Sequence, residues 1–280
     1  MDAMISGKPM PIQSNRDATS SGWTKIAAGI FCWFFLISCS EQVDPLLQKA
    51  NEEWVQGRNH SAIEIFNEVL KNHPSGTQAE EALFRLGEIH HFSLNNSTRA
   101  LIYFQEVLQM NRKGSFSYPA QKYIAEIAEF GLKDYDQAII EYQNLINHYK
   151  SENESSNHQY RIASIYYKKQ NYEQAFAEFE ILLKAYPKST WVETTQFKIL
   201  ETLYTLDRCS EIQEYHNSFI ASYPDSKYRS EMKFIIAACF EDKGMLKKAY
   251  KAFKGLEMDY AHPALLKMKI ENIEKRINKN

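Results

Sequence analysis

The sequence predicts an all-α solenoid of about six helix hairpins, closed by a C-terminal capping helix. Two observations carry that expectation. The first is an internal repeat, because self-similarity at a fixed period of about 20–50 residues marks architectures whose units bury their apolar faces on one another. Six segments align: GRNHSAIEIFNEVL (57–70), NNSTRALIYFQEVL (95–108), KDYDQAIIEYQNLI (133–146), QNYEQAFAEFEILL (170–183), DRCSEIQEYHNSFI (207–220) and GMLKKAYKAFKGLE (244–257). The second is composition. Only 10 of 280 residues are glycine, against 33 Tyr and Phe, and 44% hydrophobic content is enough for a large core. Such a chain argues for packed helices and against nucleotide-binding loops or disorder. With 33 basic and 35 acidic residues and a net charge of -2, it has no electrostatic footprint for nucleic acid.

Within each segment a small or apolar residue comes first: Ala62, Ala100, Ala138, Ala175, Ile212 and Ala249. A ring follows four positions on, at Phe66, Phe104, Tyr142, Phe179, His216 and Phe253, with His216 the weak member. An aliphatic or aromatic residue stands seven positions on. The first positions are separated by 38, 38, 37, 37 and 37 residues. Steps of four and three place all three residues on one helical face, and the small residue lets a neighbouring helix approach. Upstream of these helices lie further amphipathic runs at 80–92, 120–132, 160–168 and 195–206, so each unit reads as two helices joined by a short turn.

Punctuation separates the units. His-Pro-Ser-Gly (73–76), Tyr-Pro-Lys-Ser (186–189), Tyr-Pro-Asp-Ser (223–226) and His262-Pro263 stop helices, because proline disfavours helical geometry in the preceding residue. Thr77 with Glu80, and Thr190 with Glu193, have the capping-box spacing that starts the next helix. The boundary at 111–117 uses Gly114, and the polar SENESSN stretch at 151–157 reads as a loop. The repeat domain is expected over 46–263. Residues 264–280, with Leu266, Ile270, Ile273 and Ile277 on one stripe, read as a helix covering the last repeat's apolar side. Charge runs such as Lys247-Lys248 and the tail from Lys267 to Lys279 read as solvated helix faces.

The first 38 residues differ. Ile26 to Ser38 is an uncharged run of thirteen residues preceded by Lys25, Arg16 and Lys8, too short for a bilayer span of about 20 and patterned like a secretory signal. Met4 or Met10 are alternative starts. Leu36-Ile37-Ser38-Cys39 resembles the lipobox of bacterial lipoproteins. That resemblance implies cleavage of 1–38, lipidation of Cys39 and a polar linker over 39–45. Ser40 after the cysteine, where Asp would signal retention, implies sorting to the outer membrane with the chain facing the periplasm.

Cys32 leaves with the signal, which leaves Cys209 and Cys239. An oxidising periplasm permits them to pair. Their spacing of 30 matches no single turn or hairpin and both lie in apolar helical context, so two buried free thiols are the preferred expectation. Glu88, His90 and His91 do not make a metal site, since adjacent histidines diverge on a helix and no HExxH or Cys/His cluster is present. Cys209 and His216 are seven apart, a spacing that sets a nucleophile and a base on one helix face, but no orienting third group or oxyanion signature accompanies them. No GxSxG, P-loop or GxGxxG occurs. The expectation is a protein that is not an enzyme and needs no cofactor or metal.

The repeat resembles the tetratricopeptide repeat (TPR), with its small residue, its ring and its terminal proline. The 37-residue unit with Tyr-Pro-x-Ser between repeats is similar to that of BamD-like (YfiO-like) outer-membrane lipoproteins and of the periplasmic coordinator of the Tol-Pal system. A lipidated cysteine, a short linker, and VQGRNHSAIEIFNEVLKNHPSG (55–76) in the place of a first repeat favour the former. The resemblance implies a right-handed superhelix whose concave groove is lined by the first helix of each pair. Registered on the repeat, one first-helix row reads Phe84, Tyr123, Tyr160, Phe197 and Phe234, and a second, seven residues on, reads His91, Phe130, Tyr167, Tyr204 and Glu241. These rows are the candidate groove, suited to an extended or aromatic-ended peptide, although such rings equally pack between adjacent first helices. The implied function is a lipid-anchored periplasmic scaffold that binds other proteins, such as an outer-membrane β-barrel assembly subunit or unfolded outer-membrane protein segments. A scaffold for cell-envelope, peptidoglycan or Tol-Pal-type complexes is the alternative.

Overall fold

The structure, a computed structural model, describes residues 44–149 and 151–279; the signal segment 1–38, Cys39 and residues 40–43 lie outside them. Among the described residues there are thirteen α-helices and no strand. They follow as α1 (Pro45–Val55), α2 (Asn59–Asn72), α3 (Thr77–Glu88), α4 (Ser97–Met110), α5 (Ser117–Glu126), α6 (Tyr135–His148), α7 (Glu152–Lys168), α8 (Tyr172–Ala185), α9 (Val192–Thr205), α10 (Cys209–Ser222), α11 (Arg229–Asp242), α12 (Leu246–Lys254) and α13 (Pro263–Ile277). The chain divides into two compact units at Ala100/Leu101.

Six helix pairs thus precede a last single helix. The repeat signature lies in the second helix of every pair, and it is the core: Ala62, Ala100, Ala138, Ala175, Ile212 and Ala249 are buried, as are the rings Phe66, Phe104, Tyr142, Phe179 and Phe253. Only His216 of that ring position is half-buried. Burying such a ring contributes about 2–3 kcal/mol. In the first unit α1 packs on α2 and α2 on α3. Asp44 caps α1, its carboxylate accepting from the Leu46 N–H at 2.8 Å, with Pro45 just inside the start where its missing N–H costs nothing.

In the second unit each helix from α5 packs on the next, and α9 also packs on α11. Leu266, Ile270 and Ile273 of α13 close this unit against Ala237, Ala238, Ala249 and Phe253.

The turns inside the pairs share one device. Gly57, Asn95, Lys133, Gln170, Asp207 and Gly244 all have positive φ, spaced like the repeat itself. Only Gly57 and Gly244 occupy that left-handed region without a side-chain penalty. After three of them an Asx side chain caps the second helix: Asn96 accepts from Arg99 N–H, Asp134 from Gln137 N–H and Asn171 from Gln174 N–H, at 3.0, 3.1 and 3.3 Å.

Three local expectations are corrected. The SENESSN stretch is helix from Glu152 onward, with Ser155 and Ser156 buried; the Ser156 hydroxyl donates to the Asn153 carbonyl and accepts from Ser189, both at 2.8 Å, so tertiary bonds outweigh the loop-like composition. Neither capping box forms. Thr77 is already inside α3 after Gly76, and Glu193 instead accepts from the Ser226 hydroxyl at 2.6 Å. The free-thiol expectation fails as well, because Cys209 and Cys239 form a disulfide with Cα atoms 5.7 Å apart. The start of α10 is laid against α11 of the next pair, a contact between successive repeats that sequence spacing within one hairpin does not reveal.

Candidate protein-binding surface

In the first unit Phe84 is buried in α3, 5% exposed. His91 lies in the π-helical turn Ile89–Ser93 that extends α3, edge-on to Phe92 at 4.5 Å, and burial lowers its pKa.

In the second unit the first row forms a ladder between repeats. Tyr123 leans on Phe104 at 5.1 Å, Tyr160 stacks on Trp191 at 4.3 Å, Phe197 on Tyr228 at 4.5 Å and Phe234 on Tyr260 at 4.6 Å. Trp191 and Tyr228 are the residues that lead into α9 and α11. They are held by the Tyr-Pro-x-Ser loops, where Ser189 and Ser226 hydroxyls each accept from the backbone N–H two residues on, at 3.1 Å. Phe197 is accordingly only 9% exposed. Sequence reasoning missed Trp191 and Tyr228, though they stand 37 apart, the repeat period.

The second row differs in environment. Phe130 is 53% exposed and sits in a second π-helical turn, Ile127–Leu132, that extends α5; such insertions re-aim side chains and recur at functional sites. Arg161 lies 5.3 Å and Lys168 5.4 Å from its ring centre. Tyr167 is half-buried, with Lys198 at 5.7 Å from its ring and Tyr172 edge-on at 5.2 Å. Arg161 and Lys198 are one repeat apart, so each cation covers the second-row ring of the preceding pair. Burial disfavours a charge on Lys198, but Glu201 at 2.6 Å outweighs it and raises the pKa. In the next repeat Ile235 replaces the cation, and the Tyr204 hydroxyl, raised to about 12 by burial and by its bond to Asp242, faces a carboxylate instead. Glu241 is held by Lys269 and Arg276 of α13, each at 2.9 Å.

Beneath this row lies a buried polar cluster. The Glu129 carboxylate accepts from the Tyr142 hydroxyl at 2.9 Å and from Lys168 at 2.6 Å. The Tyr118 hydroxyl donates to Glu154 at 2.7 Å and lies 3.3 Å from His158 Nε2. Buried His158 stacks on Tyr142, and burial, aided by Lys122 and Arg161 against the opposing pull of Glu154, lowers its pKa from 6.5 to about 4. A folded pKa below the unfolded one means that the unfolded chain binds the proton first. Stability therefore falls as pH drops from about 6.5 towards 4, by roughly 2–3 kcal/mol. Urea midpoints measured on both sides of this window should fall further for the wild type than for His158→Gln; identical pH dependence would refute the assignment.

Among the described residues no three His, Cys, Asp or Glu side chains converge as metal ligands would. With its sulfur bonded to Cys239, Cys209 holds no thiolate for His216 to activate. Among the described residues no helix is long and apolar enough to cross a membrane.

The family model described as outer membrane lipoprotein (YfiO) matches the chain at 116–236 and again at 152–262, together more than half of its length, and a tetratricopeptide-repeat model matches 47–116. The chain belongs to the YfiO outer-membrane lipoprotein family. No curated protein matches it significantly. Solved structures agree on the fold. A tetratricopeptide-repeat protein of Parabacteroides merdae is 16% identical with a TM-score of 0.50, the match covering 82% of this chain and 97% of that one. YrrB, a TPR protein with an unusual peptide-binding site, is 12% identical with a TM-score of 0.50, over 76% and 99% of the two chains. The Naa15/Naa10 complex bound to HypK-THB gives 12% and 0.58, over 81% of this chain but only 33% of that one. The fold is that of TPR proteins, and the family and fold together make the chain a protein-interaction scaffold.

Proposed function

We propose that the chain is a non-catalytic scaffold, lipid-anchored through Cys39 in the outer membrane and facing the periplasm, which binds other proteins along its second-row rings. The carrying observation is the series Phe130, Tyr167 and Tyr204, repeated every 37 residues and only partly covered, the first two under a cation and the third beside Asp242. Half-exposed rings beside charges supply apolar contact area and polar registration together, as binding hot spots do. The first-row rings serve instead to fix the spacing between repeats. Family membership favours a BamD-like place in the assembly of outer-membrane β-barrels, and YrrB shows that a TPR protein of this fold carries a peptide-binding site. The Cys209–Cys239 bond fits a compartment outside the cytosol.

Crosslinking and affinity capture from native membranes test this reading, with Cys39→Ala as control. Capture of a β-barrel outer-membrane protein with periplasmic domains, dependent on Cys39, supports the BamD-like role; capture of peptidoglycan-associated or Tol-type proteins overturns that role and leaves the scaffold. Tyr167→Ala with Tyr204→Ala should weaken partner binding about 30-fold without loss of helicity. A collapse of cooperative melting would show that these rings belong to the core.

A further inference from the structure

The charge of the chain is unevenly placed. Residues 243–280 carry ten basic and four acidic side chains, whereas the preceding 242 residues carry 23 and 31. Four lysines, Lys247, Lys248, Lys251 and Lys254, fall within the nine residues of α12, which has no acidic residue, and all four are exposed. Among the described residues, Lys247, Lys248 and Lys251 have no ion-pair partner within 4 Å, while Lys254 pairs with Glu257. The opposite face of α12 is spent on the core through Ala249 and Phe253, so the lysine face looks outward.

On α13 the helical period sets Leu265, Met268, Asn272 and Lys275 on one face, opposite the buried Leu266, Ile270 and Ile273, and Lys279 follows in the turn after the helix. Every one of the five is exposed, and none is acidic. Lys247 and Tyr250 share an open cleft with Glu274, Ile277 and Asn278, which brings the amino end of α12 beside the carboxyl end of α13, with one carboxylate between them.

We propose that this outward face of the C-terminal hairpin is a contact surface for an anionic phospholipid leaflet. Three features select a lipid surface over an acidic protein. The free charges are lysines, mobile point charges suited to a diffuse anionic layer, whereas arginine is the fork for fixed carboxylates. Apolar Leu265 and Met268 stand on the same helix face as Lys275, a mixture that the headgroup region accepts. The cleft between the helices is shallow and open, without the pocket that a protein hot spot fills. With no membrane-crossing helix among the described residues, such contact is peripheral. The inference draws on the outer-membrane reading only to put a leaflet within reach, and its vesicle measurement involves no protein partner.

The test uses residues 39–280 with Cys39→Ser, which hold every described helix and cannot be acylated. Co-sedimentation with phosphatidylethanolamine–phosphatidylglycerol vesicles is compared with phosphatidylcholine vesicles. Lysines near an anionic surface contribute roughly fivefold each to partitioning, so preference for the anionic vesicles by well over tenfold is expected, lost at high salt. Lys247→Gln, Lys251→Gln, Lys275→Gln and Lys279→Gln together should abolish the preference while circular dichroism and melting stay unchanged. Equal partitioning to both vesicles, or none, overturns the proposal; crosslinks from these lysines to acidic proteins in native envelopes, with no vesicle binding, would assign the face to a protein instead. Loss of groove binding by the Tyr167 and Tyr204 variants would leave the vesicle result untouched, so the two readings fail separately.

Discussion

Reduction of the Cys209–Cys239 bond is expected to speed amide exchange in α10, α11 and α12 by a few hundredfold while leaving α7 and α8 unchanged. Closing a loop of 30 residues stabilises by about 3.5 kcal/mol in the chain-entropy description, and in a repeat array that stabilisation acts on nearest neighbours. The bond lies where the repeat signature departs furthest from its pattern. α10 carries Ile212 where the five other pairs have a buried alanine, and half-buried His216 where they bury Phe or Tyr. A partly open cavity of about 70 Å³ lies beside the disulfide, lined by Ile212, Ile236 and Phe240. Hydrogen exchange with and without reductant, repeated on Cys209→Ala with Cys239→Ala, measures the effect. Uniform acceleration through the second unit, or none, would mean that the covalent link does not hold this junction.

How much of this was legible depends on the range of the interaction. The hairpins were, because the 4-and-3 spacing of Ala138, Tyr142 and Leu145 is a statement about one helix, and all three are buried as that face demands. What lay between helices was harder. Ser156 and Ser189 meet from different repeats, so a polar stretch that reads locally as loop is held as helix. The disulfide had the same character. Its register equivalents, Tyr135 with Ile165, also stand 30 apart and share one core cluster, so registering the contact, rather than the sequence alone, identifies residues 209 and 239 as neighbours. In the candidate site the rows were found but not their division of labour. Phe197 and Phe130 are alike as residues; Tyr228 covers the one, while a π-helical turn, which has no sequence signature of its own, turns the other outward. The cations over the second row lie next to positions already singled out, but their covering of the preceding repeat's ring is a tertiary fact.

That π-helical turn also aims Glu129 inward, and its pairing gives the other large effect. Lys168→Met is expected to cost about 3 kcal/mol, several times the cost of Glu129→Gln. The two ends of the pair are not equivalent: the Glu129 side chain is fully enclosed, whereas Lys168 is 42% exposed. Removing the lysine's charge strands a carboxylate in the core with one neutral donor, the Tyr142 hydroxyl, and an uncompensated buried charge is the expensive outcome of breaking such a pair. Methionine keeps most of the aliphatic stem and removes the ammonium, which lies 5.4 Å from the Phe130 and 6.0 Å from the Tyr135 ring centre, so the substitution tests the charge more than the packing. Glu129→Gln keeps an acceptor for Tyr142, and the released ammonium turns to water, leaving a loss of about 1 kcal/mol. The cycle closes the argument, since in a Glu129→Gln background Lys168→Met should be almost neutral by urea denaturation. Equal costs for the two single variants, or an undiminished cost for Lys168→Met in that background, would place the energy in the lysine's stem rather than in the buried charge.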